Sequence, residues 1–337
     1  MNLRHALRMV LQPRVILPVL LTAALLAVAL SLGDLGKVLI RIQSIPIWVM
    51  AVALGMAIAY LAIKGWQLHI LLNHLKLHPG FHRLVLAFSV GELAVTLPFG
   101  IFAQNWVLSA TGGGESKFGR SSSATVVMLL VETVVVLLVL AVIGIPRWPQ
   151  LRTVAAVFAF GLLLLVYLAL RFGHLTERIH PRIHGKVLRK GLNQLEDLIQ
   201  GLQTVYQPKL IAATLLSAVV YLAALTVAFM FVGRSVGIPH LGFLTAATIY
   251  AFSLAAILLA GGMLSQIGTV EVLGIGAAQA WGLSLTDGLA LMLGFRIVWT
   301  GAIWLVNLPL MIVLWRTLKP AEKVKKLSAD DFEKAAD

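Results

Sequence analysis

Long apolar runs separated by short polar segments dominate the pattern of the chain. A helix needs roughly 20 apolar residues to cross the hydrocarbon core of a bilayer. Six uninterrupted runs approach or exceed that length, and each predicts one membrane-spanning helix: residues 15–32, 47–63, 124–143, 154–170, 210–232 and 288–314. The pattern therefore predicts an all-α integral membrane protein with about six full transmembrane helices.

Two further apolar runs are interrupted near their middle. The first, residues 84–108, contains Pro98 and Gly100, and the second, residues 241–281, contains a glycine-rich stretch at 261–268. Because proline removes a helix hydrogen bond and glycine weakens a helix, both runs predict two half-helices rather than one straight span. We expect each run to form a broken, re-entrant hairpin.

Two polar elements are predicted to lie at the membrane surface. Lys64 and Trp66 follow the second span, and a cation beside an indole suits the membrane interface. Residues 172–207 are polar overall but carry apolar residues at helical spacing. This spacing is typical of an amphipathic helix, and it fits both a helix that lies on the membrane and one that packs on the cytoplasmic ends of the bundle.

The basic residues predict which helix ends face the cytoplasm, because cytoplasmic loops carry an excess of Lys and Arg. The basic segment at 171–209 and the basic residues at 316–326 reach the same side only under one condition. The first hairpin must enter from the cytoplasmic face and the second from the opposite face. Both termini are then cytoplasmic.

The two halves of the chain resemble each other. A shift of 163 residues places Gly119 on Gly282 and Pro146 on Pro309, and it aligns the two helix breaks. Three spans separate the copies, so the second copy is inverted, as in many transporters. The predicted organisation is an N-terminal helix and loop (1–44), a first repeat (45–171), a cytoplasmic amphipathic segment (172–207), a second, inverted repeat (208–316) and a charged cytoplasmic tail (317–337).

Composition restricts the class of function. The chain is 59% hydrophobic and 12% charged, which leaves no room for a large soluble catalytic domain. The 27 Lys and Arg that produce the net charge of +13 lie mainly between apolar runs, where anionic headgroups attract them, so we expect no nucleic-acid partner. The absence of cysteine excludes disulfides and thiolate metal sites.

Several polar residues fall inside the predicted membrane segments. A charged side chain in the bilayer is costly unless it pairs or meets water, so these residues are candidate functional groups. The predicted substrate-binding residues are Glu92, Gln104, Asn105, Glu132, Ser265, Gln266, Gly268, Glu271 and Arg296.

The roles of these residues have alternatives. Arg296 suits a phosphate headgroup, because a guanidinium matches phosphate oxygens, or it forms a structural ion pair with Glu271. Glu132 is the counter-ion of Arg296, a proton-coupling carboxylate or a neutral acid. Gln104 and Asn105 contact substrate or satisfy the backbone of the broken helix.

The half-helices offer a second way to hold an anion. The second half-helix of the first run begins near residue 102 and that of the second run near residue 269, where free backbone N–H groups would point into the protein.

The histidines at 69, 74, 78 and 82 have no carboxylate among them, and no hydrolase, metalloprotease or nucleotide-binding motif occurs. We therefore expect no catalytic residue, metal ion or cofactor.

Three short motifs carry a resemblance to a known family. They are Glu132-Thr133, the segment from Leu264 to Glu271 that contains Gly268, and Phe295-Arg296 with the later Pro309. Over roughly residues 45–316 the chain resembles the lysylphosphatidylglycerol synthase transmembrane-region family, flippase-like proteins related to the membrane domain of multiple-peptide-resistance factor. The resemblance implies translocation of lipid or lipid-linked headgroups across the bacterial cytoplasmic membrane.

We therefore predict a lipid flippase or related transporter, and not an enzyme. An amphipathic cavity between the hairpins would accept an anionic or lipid-linked headgroup at Arg296 while the lipid tails stay in the bilayer. The expected partners are membrane phospholipids or lipid-linked substrates, and a homo-oligomer or a biosynthetic partner protein stays open. The alternatives are a non-catalytic membrane partner of a glycosyltransferase or lipid-biosynthesis complex, and a membrane-embedded lipid transferase.

Overall fold

The computed structural model describes residues 27, 34–97, 99–111, 118–172, 186–260 and 266–317. Within these ranges the regular elements are helices: α1 (Leu35–Gln43), α2 (Ile47–His74), α3 (Phe81–Ala94), a short 3-10 helix (Gly100–Phe102), α4 (Ala103–Thr111), α5 (Phe118–Val142), α6 (Gln150–Phe172), α7 (Lys186–Val205), α8 (Pro208–Ser235), α9 (Phe243–Leu259), α10 (Gln266–Ala280) and α11 (Leu285–Thr317). The predicted all-α integral membrane class is confirmed.

Five of these helices are long and apolar enough to cross a membrane. They are α2, α5, α6, α8 and α11, and they correspond to five of the six predicted spans. The remaining predicted span, residues 15–32, lies outside the described residues apart from residue 27. The total of six spans stays a prediction.

The two predicted broken runs each form a pair of short helices. The first pair is α3 and α4, and the second pair is α9 and α10. In the first break, Phe99 adopts a left-handed backbone conformation with a φ of 57°. A Cβ atom on Gly100 would lie only 1.7 Å from the carbonyl oxygen of Ala94, so this tight reversal requires glycine.

Helices from one half of the chain pack against helices from the other half. The helix α3 from the first half packs against α11 from the second half, and α9 from the second half packs against α5 from the first. The long helices α2 and α8 pack directly against each other. The predicted repeat and its inverted orientation in the membrane stay predictions.

The amphipathic helix α7 packs on the bundle. The hydroxyl of Ser123 on α5 donates a hydrogen bond to the carbonyl oxygen of Leu198 on α7, at 3.1 Å. Gly201 lies directly over Ser123, and Val205 is fully buried. The sequence left open whether this helix lies on the membrane or packs on the bundle, and the structure shows that it packs on the bundle.

Burial separates inner helices from an outer helix. In α5, 61% of the residues in its most apolar 18-residue stretch are buried, whereas only 11% are buried in α6. Since exposed apolar side chains on a membrane-spanning helix face lipid tails, α6 lies at the periphery. The inner helices α2, α5, α8 and α11 surround the candidate site.

Candidate functional site

A cavity lies between the two broken segments and the inner helices. Its empty volume is about 1160 Å³, including its opening. Apolar residues such as Leu225, Phe295 and Trp299 form much of its lining. The ionisable side chains of the lining are Tyr60, Lys64, Glu92, Glu132, Tyr221, Tyr250, Glu271 and Arg296.

One group of these side chains, which we call the Lys64 cluster, consists of Tyr60, Lys64, Glu92, Glu132 and Tyr221. The ammonium of Lys64 lies 3.2 Å from Oε1 of Glu92 and 3.3 Å from Oε1 of Glu132. It donates to the hydroxyl of Tyr60 at 2.7 Å, and that hydroxyl donates to Oε2 of Glu92 at 3.1 Å. The hydroxyl of Tyr221 donates to Oε1 of Glu132.

Four helices bring the Lys64 cluster together. Tyr60 and Lys64 are four residues apart on α2 and therefore share one face of that helix. Glu92 lies on α3, Glu132 on α5 and Tyr221 on α8. The rings of Tyr60 and Tyr221 pack edge to face, with 5.4 Å between their centroids. Lys64 lies 5.0 Å from the Tyr60 ring centroid, within the range of a cation–π contact.

The prediction that Lys64 marks the membrane interface is wrong. Lys64 is only 5% exposed, and α2 continues for ten residues beyond it to His74. The prediction failed because the apolar run was taken to end at its first charged residue, whereas a charge that is paired can lie inside the helix bundle. A signal was present in the sequence, because Tyr60, Lys64 and Gln67 form a polar stripe at helical spacing on an otherwise apolar helix.

A second group, the Arg296 cluster, consists of Gln266, Gly268, Glu271 and Arg296. Nε of Arg296 donates to Oε1 of Glu271, and Nη2 donates to the carbonyl oxygen of Gln266 at 3.0 Å. Oε2 of Glu271 accepts a hydrogen bond from the backbone N–H of Gly268. The cluster therefore connects the first turns of α10 to the middle of α11.

The start of α10 is a weaker anion site than the sequence predicted. The N–H of Gln266 donates to the carbonyl oxygen of Thr96 in the first broken segment, at 3.3 Å. The N–H of Gly268 is taken by Glu271. Since free N–H groups are what attracts an anion to a helix start, this end holds its own carboxylate instead. The same contact at Thr96 joins the two broken segments.

The structure decides which cation partners each carboxylate. Glu132 contacts Lys64, so the hypothesis that Glu132 is the counter-ion of Arg296 is wrong. Arg296 forms an ion pair with Glu271, which is the pairing that the sequence offered as an alternative. The candidates Glu92, Glu132, Gln266, Glu271 and Arg296 thus line one cavity.

Two other predicted site residues have different surroundings. The amides of Gln104 and Asn105 both donate to the hydroxyl of Thr125, at 2.7 and 2.8 Å, and so join α4 to α5. Neither is among the described residues that line the cavity, and both are buried. Ser265 lies outside the described residues.

The comparison with known families fits this arrangement. The family model described as the lysylphosphatidylglycerol synthase TM region matches residues 15–306. The chain belongs to the lysylphosphatidylglycerol synthase transmembrane-region family. The match includes both clusters and also the first predicted span, which the sequence resemblance had left outside its range of 45–316.

Family membership places this multi-pass membrane protein in lipid metabolism or transport. No curated protein matches the chain.

Proposed function

We propose that this family member is a lipid flippase or related transporter that moves an anionic or lipid-linked headgroup across the bacterial cytoplasmic membrane, and that it is not an enzyme. The observation that carries the proposal is a cavity with buried charges and apolar walls between two broken helices. Such a cavity provides the polar path that a lipid headgroup lacks in the hydrocarbon core.

Arg296 is the residue best suited to meet a headgroup phosphate. Its side chain is 24% exposed, whereas its partner Glu271 is 3% exposed, so the guanidinium is the more accessible part of the pair. A guanidinium has five donors in a planar array, and in Arg296 donors on Nε and Nη2 bind Glu271 and Gln266. Arg296 can therefore contact phosphate oxygens while it keeps the bond to Glu271.

The cavity also reaches the outer surface of the bundle. Trp304 on α11 belongs to its lining and is 50% exposed. In a membrane, an exposed indole at that place faces lipid, so lipid tails can stay outside while the headgroup enters. The contact between Thr96 and Gln266, two residues of the cavity lining, joins the two broken segments, and the passage of a headgroup between these segments would break it.

Mass spectrometry of the lipids retained by the purified protein tests the proposal, with wild type compared to Arg296→Ala. We expect an anionic lipid to be enriched in wild type and lost in the variant, because the variant lacks the guanidinium. Arg147→Ala is the matched control, since Arg147 is exposed, does not line the cavity and donates a hydrogen bond to the carbonyl oxygen of Gln279. Bulk membrane lipid in all three samples would favour a non-catalytic partner subunit instead.

A further inference from the structure

The described side chains that line the cavity carry unequal numbers of positive and negative groups. Lys64 and Arg296 are cationic, whereas Glu92, Glu132 and Glu271 are acidic, which leaves one carboxylate in excess. Arg296 and Glu271 balance each other. The excess therefore belongs to the Lys64 cluster, where one ammonium contacts two carboxylates. An uncompensated charge in a buried site is costly, so this cluster has a place for one more positive charge.

The contacts of the two carboxylates point to Glu132 as that place. In Glu92 both oxygens accept from described donors, Oε1 from Lys64 and Oε2 from Tyr60. In Glu132 the contacts with Lys64 and Tyr221 are both made by Oε1. A proton on Glu92 would have to share an oxygen that already accepts a hydrogen bond, whereas a proton on Oε2 of Glu132 leaves both contacts in place.

We infer that Glu132 binds and releases a proton, and that this proton crosses the membrane together with an anionic lipid headgroup. This inference rests on the proposed function. The charged and titratable groups that face Glu132 around the cavity are Lys64 and Tyr60 from α2, Glu92 from α3, Tyr221 from α8, Tyr250 from α9, Glu271 from α10 and Arg296 from α11.

The coupling between proton and headgroup follows from charge. An anionic headgroup adds a second excess negative charge to the cavity, and a proton on Glu132 offsets it. Each therefore makes the binding of the other more favourable, and this effect is reciprocal. One proton and one singly charged anionic headgroup together carry no net charge, so their joint movement is electroneutral.

The chemical step is a proton exchange with water. On one side of the membrane a proton from water forms an O–H bond at Oε2 of Glu132. On the other side that bond breaks and the proton returns to water, which leaves the carboxylate. Lys64 stays in contact with Oε1 and stabilises the carboxylate in the deprotonated state.

Reconstituted vesicles test the inference. The full chain is placed in phosphatidylcholine vesicles that contain fluorescent phosphatidylglycerol, and a membrane-impermeant quencher measures the amount of that lipid in each leaflet. With the membrane potential clamped at zero, a gradient of about one pH unit should enrich the lipid on the alkaline side by up to roughly tenfold. A membrane potential without a pH gradient should produce no enrichment.

Outcomes for wild type separate the two proposals. If wild type moves the lipid, but the distribution of the lipid between the leaflets does not change with the pH gradient or instead follows the membrane potential, the proton inference is overturned. The proposed function then stands. If wild type does not move the lipid under any gradient, the transport of this lipid class fails, and the proton inference fails with it.

One substitution with a matched control tests the assignment to Glu132. Glu132→Gln should abolish the response to the pH gradient, because only Glu132 exchanges the proton. Glu196→Gln on α7 is the control and should match wild type in rate and response. A gradient response that survives in Glu132→Gln overturns the assignment. If Glu132→Gln elutes as an aggregate, the same measurement is made on Glu132→Met, in which a surviving gradient response again overturns the assignment.

Discussion

The Lys64 cluster and the Arg296 cluster line the same cavity but differ in burial and in charge balance. In the Lys64 cluster the exposed fractions of the Lys64, Glu92 and Glu132 side chains are between 6% and 10%, and two carboxylates share one ammonium. In the Arg296 cluster one guanidinium matches one carboxylate, and the arginine side chain is 24% exposed.

This difference gives the two clusters different roles in the proposal: the Lys64 cluster responds to a proton, and the Arg296 cluster positions a helix. The carboxylate and guanidinium of the Arg296 cluster also bind backbone atoms at the start of α10, so the pair holds the second broken segment against α11. The Lys64 cluster connects side chains from four helices and has one carboxylate in excess. Under the proton inference, the excess carboxylate of the Lys64 cluster takes the proton, whereas the balanced pair of the Arg296 cluster holds the helix start in place.

The largest effect is expected from Lys64→Met. The substitution leaves Glu92 and Glu132 buried without a cation, and it should lower the free energy of unfolding by about 3–5 kcal/mol. Denaturant unfolding of the purified protein in micelles measures this. Lys37→Met is the matched control, since the exposed Lys37 pairs with the exposed Asp34 and its removal should change little. Equal effects of the two variants would contradict the burial argument.

A smaller loss is expected from Glu271→Gln. The substitution removes the ion pair with Arg296, but water can reach the partly exposed guanidinium and compensates for part of the lost interaction. The free energy of unfolding should therefore fall by about 1.5–3 kcal/mol. The same unfolding measurement, with Glu196→Gln as the control, checks this. A loss larger than that of Lys64→Met would reverse the comparison between the clusters.

The backbone of the Arg296 cluster contributes a third effect. Gly268 has a φ of +83°, a conformation that disfavours residues with a Cβ atom, so Gly268→Ala should cost about 1–2 kcal/mol. Gly276→Ala is the control on the same helix, because a Cβ atom there meets no atom within 4 Å. The control should be neutral or stabilising, by about 0.5–1 kcal/mol. Similar losses in both variants would show that the special backbone of Gly268 is not the cause.

The smallest effect is expected from Tyr60→Phe. The hydroxyl that bridges Lys64 and Glu92 is lost while the two charges still contact each other, so the free energy of unfolding should fall by about 0.5–1.5 kcal/mol. Tyr167→Phe on the peripheral helix α6 is the control and should be neutral. If the stability of Tyr60→Phe is unchanged, the hydroxyl of Tyr60 does not contribute to the stability of the Lys64 cluster.

Much of the architecture could be predicted from local properties of the sequence. The length of an apolar run reports whether a helix can cross a bilayer, and proline or glycine within a run reports where the helix breaks. Five predicted spans and both broken runs are therefore present as helices. The cost of a buried charge is also local, and it pointed to Glu92, Glu132, Glu271 and Arg296 before any contact was known.

The interactions of these residues could not be predicted in the same way. Glu132 and Tyr221 are 89 residues apart in sequence, and Lys64 had the local features of an interfacial residue. Gln104 and Asn105 had the character of substrate-binding residues, but Thr125 takes their hydrogen bonds. Each pairing depends on which helices are neighbours and how they are rotated, which no stretch of sequence encodes by itself.

The sequence by itself thus determined the membrane class, the helix breaks and the presence of costly charges, because each follows from the residues within one helix. Only the tertiary structure decided that one ammonium serves two carboxylates in the Lys64 cluster and that Arg296 binds Glu271. The physical reason is that a buried charge is stabilised by its neighbours in space, and those neighbours come from different helices.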